Sequence, residues 1–138
     1  MKKTALLIGI LLILGCSQAV EKGHKGSIDW ITDLSAAKTM AKSEGKPMLI
    51  DFYADWCSWC RRMDTDTYGN LKVAELAKKF VCVKIDTDKQ PDVAENYKVR
   101  GLPMTVFLSS EGKEIDTISG YLPPEEFLKK MESALKAQ

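Results

Sequence analysis

The sequence predicts an α/β fold, a mixed central β-sheet with helices on both faces. Three observations predict it. Two short runs, "PMLIDFYA" and "FVCVKID", are apolar on both faces, as strands covered from both sides should be. Segments with apolar residues at spacings of three and four stand between such runs, the alternation that builds parallel strands through right-handed crossovers. Towards the C-terminus the pattern changes: "MTVFLS", a "SEGK" turn and "EIDTIS" read as a hairpin, which adds an antiparallel pair.

Element by element, "SIDW" alternates Ile28 and Trp30 and reads as a short strand or extended entry. Thr32 or Asp33 can cap a helix whose apolar positions Leu34, Ala37, Met40 and Ala41 share a face, and Gly45 and Pro47 stop it. The strand "PMLIDFYA" runs into a short helix, "CSWCRRMDTDTY". A second helix comes next, with Val73, Leu76, Ala77 and Phe80 on its buried side. After "FVCVKID" comes a short helix from Pro91 to about Tyr97, then "KVRGLP" leads into the hairpin. The closing helix, "PPEEFLKKMESALKA", carries proline in its first turn, where a missing N–H breaks no bond. The expected order is β-α-β-α-α-β-α-β-β-α.

The N-terminus addresses the chain. "MKKTALLIGILLILGC" has two lysines, an apolar run from Ala5 to Leu14, a small residue and Cys16. This is a secretory signal pattern, too short to span a bilayer comfortably. Its end, "ILGC", resembles the lipobox of bacterial lipoproteins, which implies cleavage after residue 15 and lipid attachment at Cys16. An ordinary signal peptide cut near "CSQA" and an uncleaved anchor are the other readings. All three place the domain outside the cytoplasm, facing a periplasm. Ser17 comes after the cysteine, where Asp would suggest retention at the inner membrane, so the outer membrane is the expected destination. Residues 16–27 are polar with two glycines and read as a flexible tether spanning roughly 15–20 Å. His24, the sole histidine, lies on it and is given no role. The domain proper is expected over 28–138.

Of 20 basic residues, cleavage removes Lys2 and Lys3, leaving 18 against 19 acidic ones. With no excess of positive charge and no basic stripe, nucleic acid is not an expected partner. The domain's length suits one compact core.

The stretch "DFYADWCSWC" and the later "GLP" carry the chemistry. Asp six residues before the first cysteine, Trp directly before it and Gly-x-Pro about 45 residues later resemble the thioredoxin superfamily over essentially all of 28–138. The segment "CRRMDTDTYGNLKVAELAKKFVCVKIDTD" looks most like the C-terminal periplasmic domain of DsbD-type thiol reductases and their small secreted relatives. There the helix after the cysteines is interrupted by a Met-acid-x-x-Thr-aromatic segment. The resemblance implies a thioredoxin fold, protein disulfides as substrates, a membrane thiol protein as electron donor, and no cofactor.

Thiol exchange needs a stabilised, accessible thiolate next to a second thiol. Cys57 stands where strand becomes helix, so the free N–H groups of the first turn face its sulfur and lower its pKa. Arg61 can add to that field. Cys60, one turn on and better shielded, can close a short disulfide and resolve a mixed one. A purely structural disulfide and a metal clip, including copper delivery through two thiolates, are the competing readings. So short a loop adds little chain-entropy stabilisation, and no histidine lies near to complete a metal site.

Asp51 shares a strand face with Leu49 and Tyr53; burial there raises its pKa, while an exposed place at a sheet edge would leave it inert. The resemblance implies that Asp51 is a buried base, acting through water on the Cys60 proton. It also implies that Trp56 lies beside the disulfide, although core is an equal reading for that ring. Pro103 is implied to be cis, facing the cysteines, with Leu102 offering backbone groups to an extended substrate. Three departures stand out: Trp59 where proline is common, Met104 where threonine is common, and Cys82 where a buried lysine often neighbours the aspartate. Cys82 reads as small apolar filler. Lys84 is near that position without being expected in the same place.

Overall fold

The run "PMLIDFYA" forms β1, Met48–Tyr53, at the centre of a four-stranded sheet. The computed structural model describes residues 25–138. The signal segment, Cys16, His24 and most of the expected tether lie outside the described residues. The other strands are β2, Val81–Asp86; β3, Met104–Leu108; and β4, Glu114–Ser119, in the order β2-β1-β3-β4. β1 and β2 are parallel, with Asp51 opposite Lys84. β3 is antiparallel to both β1 and β4, so the reversal begins where the hairpin's first strand pairs with β1.

The entry segment is the extended one of its two readings and forms no strand, which removes the first β from the expected order. Only Ile31 joins the sheet, through a single parallel bridge to Val83. Ile31 donates to the Cys82 carbonyl and accepts from the Lys84 N–H, both at 2.9 Å. Pairing stops there because Asp33, two residues on, already caps α1, Leu34–Glu44, accepting from the N–H groups of Ser35 and Ala36 at 2.8 and 3.0 Å. Gly45 ends α1 in the left-handed conformation, φ 62°.

Two apolar layers flank β1. Met48, Ile50 and Phe52 point towards α1 and α4, the latter Pro91–Asn96. Leu49 points the other way, towards α3, Leu71–Ala77, and α5, Pro124–Lys136, where Phe107, Phe127 and Met131 complete the packing. The helix carrying the cysteines lies on this second side. It begins as α2, Ser58–Arg62, and continues as a six-residue π-helix, Met63–Tyr68. The wide turn buries Met63, Thr67 and Tyr68 together. Gly69 closes it, since a Cβ there would stand 2.5 Å from the Thr65 carbonyl oxygen. Asn70 then caps α3 through the N–H groups of Lys72 and Val73.

Ordered packing starts inside the stretch read as tether. Gly26 donates to the Gly69 carbonyl at 2.9 Å, and a Cβ at Gly26 would lie 2.5 Å from the Ala74 methyl. Among the described residues, no helix is long and apolar enough to cross a membrane.

Candidate active site

β1 ends at Tyr53, the chain turns through Ala54 and Asp55, and Cys57 caps α2. The turn is held by the Cys57 N–H on the Ala54 carbonyl at 3.1 Å. Arg61 reaches back to the Asp55 carbonyl at 2.7 Å, so its guanidinium braces the loop that delivers Cys57. The Cys57 sulfur accepts the Cys60 N–H at 3.1 Å, the contact expected of a sulfur set over the first free amides of a helix. Cys57 and Cys60 are joined as a disulfide with their Cα atoms 5.2 Å apart. Both are buried, 5% and 3% exposed, so in this oxidised form the difference in shielding is smaller than the sequence suggests. Ala54, Tyr53 and Leu102 pack around them.

Asp51 lies on the central strand that leads to the pair, 1% exposed, which disposes of the sheet-edge alternative. One carboxylate oxygen accepts from the Tyr68 hydroxyl at 3.0 Å and the other from the Lys84 ammonium at 3.0 Å. Thr105 from β3 meets the same Tyr68 hydroxyl at 3.2 Å. Lys84 also binds Asp64 of the π-helix. Burial pushes the Asp51 carboxyl up from 3.8, opposed chiefly by the charge and hydrogen bond of Lys84. Burial, and after it the charge of Asp51, pushes the Tyr68 hydroxyl well above 10.0. Burial alone would lower the Lys84 ammonium, yet Asp51 and Asp64 together hold it above its ordinary value.

The expectation for Lys84 is thereby corrected. Cys82 and Lys84 are two residues apart and so share a face of β2, and register sets Lys84 opposite Asp51. The lysine is displaced by one pleat towards the cysteines. Cys82 is buried, with its sulfur 3.6 Å from the Ala77 carbonyl oxygen and its thiol pushed up to about 12 by burial. The Met-acid-x-x-Thr-aromatic segment contributes Asp64 and Tyr68, which sequence reasoning did not assign; alternation on β2 could have found Lys84.

Trp56 does not belong to the core. It is 68% exposed, with its indole N–H on the Asp88 carboxylate at 2.9 Å. The Leu102–Pro103 bond is cis, and both residues line a shallow groove with Trp59, Gly120 and Tyr121. Trp59 is half exposed and packs on Tyr121 at 5.6 Å between centroids; the Arg62 guanidinium lies 5.4 and 5.2 Å from the two ring centres. The structure thus brings Cys57, Cys60, Asp51, Leu102 and Pro103 to one end of the sheet, with two exposed indoles beside them. Among the described residues, no group of three or more His, Cys, Asp or Glu side chains is placed to hold a metal ion.

This arrangement has relatives. A profile of the thioredoxin-like domain matches residues 34–135. The chloroplast thioredoxin-like protein HCF164 of Oryza sativa subsp. japonica is 38% identical over 101 residues, 71% of this chain and 38% of that protein. The thioredoxin of Griffithsia pacifica is 33% identical over 111 residues, 80% of this chain and 98% of the relative. The thiol:disulfide interchange protein DsbD of Campylobacter jejuni is 27% identical over 79% of this chain and 20% of its own length. The chain therefore spans well under two thirds of HCF164 and of DsbD. Of solved structures, a thioredoxin from Thermus thermophilus superposes with TM-score 0.71 at 26% identity, over 79% of this chain and 88% of that one. The DsbH oxidoreductase, at 23% identity, shares the fold over 95% of this chain and 96% of its own, with TM-score 0.69. With its profile match, its sheet and its Cys57–Cys60 pair, the chain belongs to the thioredoxin-like domain family.

Proposed function

We propose that this protein is an extracytoplasmic thiol:disulfide oxidoreductase that reduces disulfides in other proteins. The observation that carries the reading is the Cys57–Cys60 disulfide, set at the strand-to-helix turn that ends the strand bearing the buried Asp51 carboxylate. In the reduced protein, the Cys57 thiolate attacks one sulfur of a substrate disulfide. A mixed disulfide forms and the first substrate thiol leaves. Cys60 then gives its proton to Asp51, by way of water, and its thiolate attacks the Cys57 sulfur. The second substrate thiol is released and the Cys57–Cys60 bond closes, so two electrons have passed to the substrate.

The groove beside cis-Pro103 receives the extended substrate segment, with the backbone of Leu102 alongside and the exposed rings of Trp56 and Trp59 as docking surfaces. Each turnover leaves the pair oxidised, so a membrane-bound thiol protein must return two electrons. The signal pattern supports the location, and Cys16 carries the lipid that holds the domain at the outer membrane.

The equilibrium potential of the couple against glutathione tests the direction. A value near about −270 mV supports a reductant, whereas one near about −120 mV makes the protein an oxidant. Cys60→Ser should accumulate mixed disulfides with cellular partners through Cys57; failure to trap any would remove the exchange reading. Fatty-acid labelling that persists in Cys16→Ala would overturn the anchor.

A further inference from the structure

Gly26 to Trp30 run along the outside of the site and join the sheet only through the bridge of the next residue, Ile31, and what they cover is specific. The Lys84 ammonium lies 4.9 Å from the centre of the Trp30 ring, 4.9 Å from Tyr53 and 5.2 Å from Tyr68. Three aromatic faces thus surround a cation whose ion-pair partners among the described residues are the carboxylates of Asp51 and Asp64. Tyr53 belongs to β1 and Tyr68 to the π-helix, both fixed by the fold. Trp30 alone comes from the entry segment. It packs edge-on against Tyr68 at 5.0 Å. It is anchored on one side by the two hydrogen bonds of Ile31 and on the other by Gly26 on Gly69, at a place with no room for a Cβ.

We propose that Trp30 is a positioning residue for the proton chemistry of the site. It closes the cage that keeps the Lys84 ammonium against Asp51, so docking of Gly26 to Ile31 sets how tightly Asp51 holds a proton. This rests on the reading of Asp51 as the acceptor of the Cys60 proton.

Four groups bear on Asp51: Lys84 from β2, Tyr68 and Asp64 from the π-helix, and Thr105 from β3 through the Tyr68 hydroxyl. Only Lys84 among them is a cation. Burial pushes the carboxyl up, and Lys84 is the main force against it. With Trp30 removed, one side of the ammonium opens to water. The long side chain is then free to swing towards Asp64, whose carboxylate is 42% exposed. Asp51 is left with the Tyr68 hydroxyl and binds its proton more tightly. The strap therefore works through Lys84, not by covering Asp51 itself.

The test is a carbon-13 NMR titration of the Asp51 carboxyl in the oxidised full-length protein, which needs no activity. Trp30→Ala should move the midpoint up by about one pH unit, tenfold in proton affinity, and Trp30→Phe should restore most of it. Gly26→Val, which dislodges the strap from Ala74 without altering a cage ring, should shift it the same way. In a Lys84→Met background, which raises the midpoint by itself, Trp30→Ala should add nothing. A midpoint unmoved or lowered by Trp30→Ala overturns the proposal, as does an upward shift that survives in Lys84→Met. Should Asp51→Asn leave the resolving step at parental rate, the catalytic reading of Asp51 falls while the titration still decides the role of Trp30.

Discussion

The two faces of β1 have been put to different uses. Met48, Ile50 and Phe52, all fully buried, pack in one apolar cluster with residues of α1, α4 and the neighbouring strands. One residue out of phase, Leu49 packs in the same manner, but Asp51 sets a carboxylate into the middle of the opposite layer. Thr105, Tyr68 and Lys84 are then required to satisfy it. Every buried side-chain polar atom among the described residues does find a partner. The first face shows what holds the sheet together, and the second shows what the protein gives up in apolar packing to place a titratable group inside the strand that leads to the disulfide. Stability and chemistry are therefore separable here by a single step along one strand.

Breaking the apolar face should give the largest effect. Phe52→Ala removes a fully buried ring that packs on Tyr97, and should cost about 3–5 kcal/mol in urea unfolding. The fraction that remains folded should exchange at an undiminished rate. On the other face, Asp51→Asn should slow resolution of a preformed mixed disulfide by about 100-fold or more in single-turnover assays, with the fold intact. A rate equal to the parent's would take Asp51 out of the mechanism.

The same variant sharpens the contrast through pH. The folded-state pKa of Asp51 lies above its ordinary 3.8, so the native state binds the proton more tightly than the unfolded chain does. That contribution is complete below the ordinary value and is lost as pH climbs through the raised one. Asp51→Asn lacks this loss. Its stability relative to the parent should therefore rise from about pH 4 upward and level off once the carboxyl is fully ionised, as read from urea melts in steps of pH. A flat difference would mean that burial does not govern this group. The smallest effect is expected at Cys82. Cys82→Ala should cost about 1 kcal/mol and leave exchange unchanged. In the parent, this thiol should resist alkylation until the protein unfolds.

Most of the scaffold was legible because it depends on short-range pattern: apolar runs for β1 and β2, and the caps at Asp33 and Gly45 for α1. The cysteine pair and Pro103 were legible as a motif. The entry strand was not, because alternation at Ile28 and Trp30 says nothing about how soon Asp33 turns the chain away. The polar network was not either. Lys84 meets Asp51 through strand register and Tyr68 through the course of the π-helix, both of which are properties of pairing across more than fifteen residues. The core reading of Trp56 failed for a local reason, since its indole N–H bonds the Asp88 carboxylate at the surface.

The π-helix carries one last consequence. Such a segment is the form an α-helix takes when it accommodates one surplus residue. Deleting a single position between Met63 and Thr67 should let the helix revert to ordinary winding with its C-terminal end still facing nearly the same way. A second deletion, with no surplus left to absorb it, would rotate that end by about 100° and turn Tyr68 away from Asp51. The segment thus holds one position that the chain can lose while its cysteines and the hydroxyl of Tyr68 keep their places.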